Sequence, residues 1–392
     1  MAYLHHKSEG RSAEDIALAK FCDLLIRRIE SLQEDWHRPW CTTTLYPKNL
    51  DGRLYSASNS LMLMLHGENE GYDVPVYATF ERIVAMNYDA KRQPLKDAEG
   101  RPLPTVGVQR GEKSFPVVFP TWTVVDRETN EKIKYDDYRA LSDEEKERYA
   151  VYPKTQVFHV FNVASQTNLA EARPELYERL KAENTTTQSR HEGEFNRFPA
   201  FEKMITDNLW LCPIRLERQD QAYYAPKQDV VVLPSREQFQ DEESFLSVAA
   251  HELSHSTGHS SRLDRLKSAS MSDRSYQVEE LVAELSSAVI CARMGVVKQG
   301  VKDESAAYLK AWLDELRESP SFLRTTLNDV KKASSMVCQE IARVEERIKQ
   351  QADVGDIDGD GITNEVADEE REQVVEPHEE IHEVVGYHRR GR

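Results

Sequence analysis

Apolar residues recur at helical spacing between Ser12 and about Glu34, at Phe21, Leu24, Leu25, Ile29 and Leu32. Ser12 can cap that helix, and Glu14 and Asp15 occupy its first turn, where the helix dipole favours acids. The pattern then breaks. Trp36–Asn59 mixes prolines, a glycine and asparagines with Trp36, Trp40, Tyr46 and Tyr55, which predicts turns. Short helices are expected at Asn59–His66 and from Thr79 to about Met86. Val106–Val125 alternates and predicts strands around a turn at Gly111, and Gln156–Val163 predicts another strand. Asp136–Ala150 predicts a charged, solvated insertion helix. A polar linker at Lys181–Arg197 separates this half from the next.

The second half begins near Pro199. Asp229–Pro234 predicts a short buried strand, placed as an edge that an extended peptide could pair with. Ser244 starts a helix running to about Ser256, preceded by the acidic run Asp241–Glu243. Ser275–Gly295 is a longer helix, and two more fill 305–318 and 321–350. The expected fold class is therefore α+β. A mixed α/β domain covers residues 1–172, a linker 173–198, a mainly helical domain with a small sheet 199–350, and an acidic tail 351–392.

Composition narrows the class. At 39% hydrophobic and 30% charged, the 392 residues suit a soluble protein. No apolar run is long enough for a membrane span, and the N-terminus lacks a secretory h-region, so a cytoplasmic location is expected. Five scattered cysteines without a CxxC pair exclude a cysteine zinc site and point to a reducing compartment. The net charge is −17, but residues 351–392 carry 13 Asp/Glu against 4 Arg, whereas residues 1–120 carry 16 against 15 Lys/Arg. Acidity resides largely in the tail and does not exclude a nucleic-acid partner for the N-terminal half.

The strongest chemical signal is HELSHSTGH at 251–259. His251 and His255 are four apart on one helix, so both rings share a face. Two imidazoles hold zinc there, and Glu252 acts as general base on zinc-bound water. A third ligand is required. The HExxHxxGxxH form needs a histidine at 261, where Ser261 stands; Gly258 matches, and His259 falls two residues early. The His2Glu alternative is better served. In EELVAE, Glu280 and Glu284 share a helical face, so Glu280 can bind the ion while Glu284 orients a ligand histidine. Glu279 points about 100° away from Glu280 and ranks second. Tyr276 is a candidate oxyanion stabiliser.

Two further groups carry chemistry. Single strands are held by aromatic platforms and cations, and Trp36, Arg38, Trp40, Arg53, Tyr55, Arg110 and Lys113 supply both near turns. In the tail, Asp356, Asp358, Asp360 and Gly361 start like a calcium loop, but position 12 is Ala367 rather than glutamate. An acidic, disordered tail competes with the calcium reading.

Several motifs in order carry a family resemblance. WHRPW at 36–40, the N-x-x-G-R-x-Y pattern at Asn49–Tyr55, RGEKS at Arg110–Ser114 and FNVASQTNL at Phe161–Leu169 resemble the N-terminal domain of ArdC-type antirestriction proteins. HELSHSTGHSSRLDR and YQVEELVAEL resemble that family's zincin-like metallopeptidase domain. The resemblance implies a domain binding single-stranded DNA, a zinc peptidase-like hydrolase domain, carriage on a mobile element and protection of incoming DNA from host restriction. An unknown protein substrate or host restriction factor would be the second partner. The alternative is a non-catalytic strand-coating protein whose zinc domain is a scaffold or partner surface.

Overall fold

A computed structural model describes residues 12–34, 46–184, 197–266, 273–296, 309–318 and 320–355. Helix α1 (Ala13–Glu34) starts where the pattern predicts: Ser12 Oγ accepts from the Asp15 amide at 3.1 Å while the Asp15 carboxylate accepts from the Ser12 amide. Helix α2 (Ala57–Glu70) is longer than expected at both ends and stops at Gly71, whose φ of 72° closes the last carbonyls. Strands β1 (Lys48–Asn49) and β2 (Val76–Thr79) lead into α3 (Phe80–Ala85).

The dominant element is a hairpin of β3 (Phe115–Asp126) and β5 (Tyr149–Asn162), paired antiparallel from Phe115↔Val160 to Asp126↔Tyr149. With β4 (Lys132–Ile133) it completes a sheet of order β1-β2-β5-β3-β4. Of the alternating run Val106–Val125, only the second part is a strand. Asn87 satisfies both backbone groups of Val106, at 2.7 and 2.9 Å, and Asn168 accepts from the Gly107 amide at 2.8 Å. Side chains thus take the hydrogen bonds that a ladder would need. Gly111 does form a turn, with φ of 97°.

The charged insertion is not one helix. It divides into α4 (Tyr135–Arg139) and α5 (Asp143–Lys146), because Ser142 and Glu145 form a reciprocal capping box that starts a new helix. Tyr149 and Ala150 belong to β5. Trp122 stacks on Tyr135 at 4.5 Å, so α4 covers one side of the hairpin. Helices α6 (Leu169–Ala172) and α7 (Pro174–Glu183) follow, so the start of the expected linker is helical.

Next come α8 (Pro199–Thr206) and a three-stranded sheet of β6 (Ile214–Glu217), β7 (Tyr223–Ala225) and β8 (Val230–Pro234). Its order is β6-β8-β7. The strand expected at an edge, β8, is therefore central and fully buried, which its unbroken apolar run VVVL demands. Helix α9 (Glu242–Ser256) begins two residues before Ser244. Asp241 is the cap, accepting from the Ser244 amide at 2.7 Å. Helices α10 (Asp273–Met294), α11 (Leu309–Glu318) and α12 (Pro320–Gly355) complete the described chain. Among the described residues no helix is long and apolar enough to cross a membrane.

The cores explain the site's position. One cluster joins Phe21 of α1, Leu61 of α2 and Phe115 of β3 to Leu285 of α10, Trp312 of α11 and Leu323 of α12. A second lies under α9 and β8, with Phe245, Leu253, Val231, Ile290 and Val337. Helix α10 contributes to both, so residues 279–292 are buried on every side. Residues through Ile348 form one compact unit; beyond it the described residues are the last turns of α12.

Candidate metal centre

Helix α9 carries both histidines, and the apolar positions Phe245, Leu246, Ala249, Ala250 and Leu253 fix its buried face. Helix α10 returns across it and presents Glu279, Glu280 and Glu284, none more than 5% exposed. His251 Nε2 and His255 Nε2 lie 3.1 Å apart. Glu280 completes the triangle, with Oε2 3.7 Å from His251 Nε2 and Oε1 3.4 Å from His255 Nε2. An ion held tetrahedrally at zinc–nitrogen distances would space its ligand atoms about 3.4 Å apart. These donors, His251, His255 and Glu280, fit a divalent cation by type and spacing.

The electrostatics favour positive charge at the same point. Burial works against a charge on His255, but Glu280 and Glu279 outweigh it and push its pKa up to about 10. Burial would raise Glu280, yet His255 and His251 hold its carboxyl well below the usual range. The outer ring nitrogens are also engaged. His251 Nδ1 faces Glu284 at 3.5 Å, and His255 Nδ1 faces Glu279 at 3.4 Å. Such carboxylate partners set ring orientation and raise basicity.

Glu279 lies outside the donor triangle and faces the outer nitrogen of His255. Sequence reasoning missed what anchors it. Arg265 binds it at two points, and the same guanidinium reaches Thr257 Oγ1 at 2.9 Å and the Ser254 carbonyl at 3.0 Å. The signal was the arginine in SSRLDR, ten residues past His255. Gly258 makes room: a Cβ there would lie 3.1 Å from the His255 carbonyl and 3.2 Å from Arg265 Nη2. His259 points elsewhere, with Nδ1 2.8 Å from Ser261 Oγ and 3.6 Å from Asp229. Glu252 is buried on α9, 2% exposed. Tyr276 lies four residues before Glu280 on α10 and is 42% exposed.

The strand-binding candidates are dispersed. Arg53 is exposed in the turn organised by Asn49 Oδ1, which accepts from the Asp51 and Arg53 amides. Arg110 and Lys113 are exposed beside Gly111. Tyr55 is only 9% exposed, and its hydroxyl donates to the Tyr77 carbonyl at 3.3 Å. Its ring belongs to the floor of the sheet rather than to an exposed platform. Trp36, Arg38 and Trp40 lie outside the described residues, as do Asp356, Asp358 and Asp360.

Comparison with known proteins matches both halves. Residues 16–161 match the N-terminal domain of anti-restriction factor ArdC, and residues 202–326 match a zincin-like metallopeptidase. The metal-free crystal structure of antirestriction ArdC protein from R388 plasmid superposes with a TM-score of 0.57 at 24% identity, covering 82% of this chain and 98% of that one. The Mn(II)-bound structure of ArdC gives 0.55 at 23% identity, covering 83% and 98%. DNA primase TraC of Escherichia coli is 25% identical over 84% of this chain, which spans 28% of the primase's length. Uncharacterized protein y4eC of Sinorhizobium fredii is 27% identical over 75% of this chain and 82% of its own. The His251, His255 and Glu280 cluster lies within the residues that match the zincin-like metallopeptidase. In architecture the chain is ArdC-like: a part matching the ArdC N-terminal domain is followed by a part matching a zincin-like metallopeptidase domain.

Proposed function

We propose that this protein shields incoming DNA from host restriction in the cytoplasm, binding single-stranded DNA through residues 12–172 and hydrolysing a protein partner through its zincin-like half. The observation that carries the enzymatic reading is the triangle of His251, His255 and Glu280, backed by a carboxylate behind each histidine. Zinc is the proposed ion, because two imidazoles and one carboxylate are a donor set of catalytic zinc sites, and His251, His255 and Glu280 would hold it. When bound, the ion supplies Lewis acidity that makes water a nucleophile at neutral pH. Glu252 would accept a proton from the attacking water and pass it to the departing amine. Glu284 and Glu279 hold the two rings in register. An extended peptide would pair along β7, which flanks β8 and has no further strand beside it among the described residues. Tyr276, one turn from Glu280, would steady the developing oxyanion.

A second reading has its own support. Helix α10, which carries Glu280, packs into the same cluster as α1, α2 and β3. A bound ion would then stiffen a strand-coating protein without doing chemistry. Glu252→Gln separates the two, since it keeps the donor triangle and removes only the base. Zinc content unchanged by mass spectrometry with protection of unmodified DNA lost supports hydrolysis; protection retained supports the scaffold. For the DNA half, log affinity for an oligothymidylate should fall linearly with log salt.

A further inference from the structure

The β3–β5 hairpin has a face that neither the insertion nor the metal centre uses. The register sets Val117 opposite Phe158, Phe119 opposite Gln156, Thr121 opposite Lys154 and Thr123 opposite Tyr152. Side chains alternate along strands, so all of these share one side, opposite to that of Trp122 on which α4 packs. A cavity of about 440 Å³ opens there, with Tyr55 and Val117 at its floor, Phe119 and Phe158 at its wall and Arg53 and Arg82 at its rim.

The chemistry of this surface is specific. Phe158 is held edge-to-face against Phe119, centroids 5.6 Å apart, yet stays 37% exposed. Tyr152 is 57% exposed further along the same strand, and Leu54 is 47% exposed at the rim. Six residues at ~3.3 Å each separate Tyr152 from Phe158, a track of about 20 Å. Lys154 lies between them, exposed, and Arg82 has Asp51 as its ion-pair partner. Flat apolar faces alternating with cations match a ligand that alternates flat rings with phosphates. A duplex keeps its bases stacked inside, so only an unpaired strand offers both.

We infer that this face is the strand groove: one base of single-stranded DNA enters the cavity against Phe158, another stacks on Tyr152, and phosphates meet Arg53, Lys154 and Arg82. The inference rests on the proposed single-strand binding of the N-terminal half. It moves the contact from the Gly111 turn to the sheet.

The test uses the full chain and a fluorescent oligothymidylate. Phe158→Ala should weaken binding about 5- to 150-fold, the range of one lost stacking contact, and Phe158→Trp should restore it. Lys154→Ala should lower the salt slope by about 0.7. Arg110→Ala/Lys113→Ala should leave affinity within about twofold. Unchanged melting temperatures confirm folded variants, as expected for exposed positions. If the wild type binds and Phe158→Ala binds equally well, the groove is wrong while strand binding stands. If Phe158→Ala disrupts only an acidic peptide probe, the face is a protein site and the inference fails. A wild type that binds no single strand overturns both readings.

Discussion

Arg265 and Glu279 form a buried two-point ion pair, with Nε 2.9 Å from Oε2 and Nη2 2.8 Å from Oε1. Both side chains are at most 8% exposed. The pair ties the end of α9 to α10 directly behind His255. Arg265→Met would leave the buried Glu279 carboxylate with His255 but without its two-point guanidinium partner; breaking a buried pair in this way costs up to ~3–5 kcal/mol. It should also lower metal affinity ~10–100-fold, because Glu279 loses the anchor that orients His255. Denaturant titration and chelator competition measure the two effects. Unaltered affinity in a folded variant would show that the ring needs no such support.

Metal should stabilise the folded chain through the donor triangle. One-site binding at a hundredfold excess over Kd contributes ~2.7 kcal/mol. Zn²⁺ or Mn²⁺ should therefore raise the melting temperature, and a chelator should reverse the rise. In His251→Ala and Glu280→Gln the shift should shrink or vanish. The same shift in His251→Ala would place the ion elsewhere.

The shared core predicts joint unfolding. Leu285 of α10 is fully buried in the cluster that includes Phe21 and Leu61. Leu285→Ala should cost ~2–5 kcal/mol. Hydrogen exchange should show amides of α2 and α9 destabilised together. Destabilisation confined to α9 and α10 would mean that the halves fold independently.

Asp229 gives a pH signature away from the ion. Its carboxyl is lowered chiefly by Arg262, with burial opposing and the Tyr224 hydroxyl donating at 2.7 Å. A depressed carboxylate contributes stability above its unfolded pKa of ~3.9 and loses it as pH falls through the folded value. Asp229→Asn isolates the charge, since the φ of 49° at this position suits asparagine. The melting gap between wild type and variant should be constant from about pH 5 to 7 and narrow below about pH 4. A gap independent of pH down to about 2 would remove the charge from the account.

Local pattern made the helices legible. The heptad-like apolar positions of α1 and the HExxH spacing on α9 follow from 3.6 residues per turn, so His251 and His255 had to share a face. The choice of Glu280 over Glu279 followed from the same geometry. Where side chains replaced backbone partners, pattern misled. Asn87 took both hydrogen bonds of Val106, and a capping box at Ser142 split a charged run that looked continuous. The strand Val230–Pro234 was recognised as buried, but its central place was not, because an apolar run does not say how many neighbours a strand has.

By itself, then, the order of residues determined element types, the pair of imidazoles and the family motifs, since these depend on neighbours within a few turns. Only the tertiary structure decided that Arg265 reaches Glu279, that α10 serves two cores, and that Phe158 and Tyr152 line one side of a long hairpin. Those relations join residues distant in the chain, and their geometry is set by packing and strand register, which no local spacing encodes.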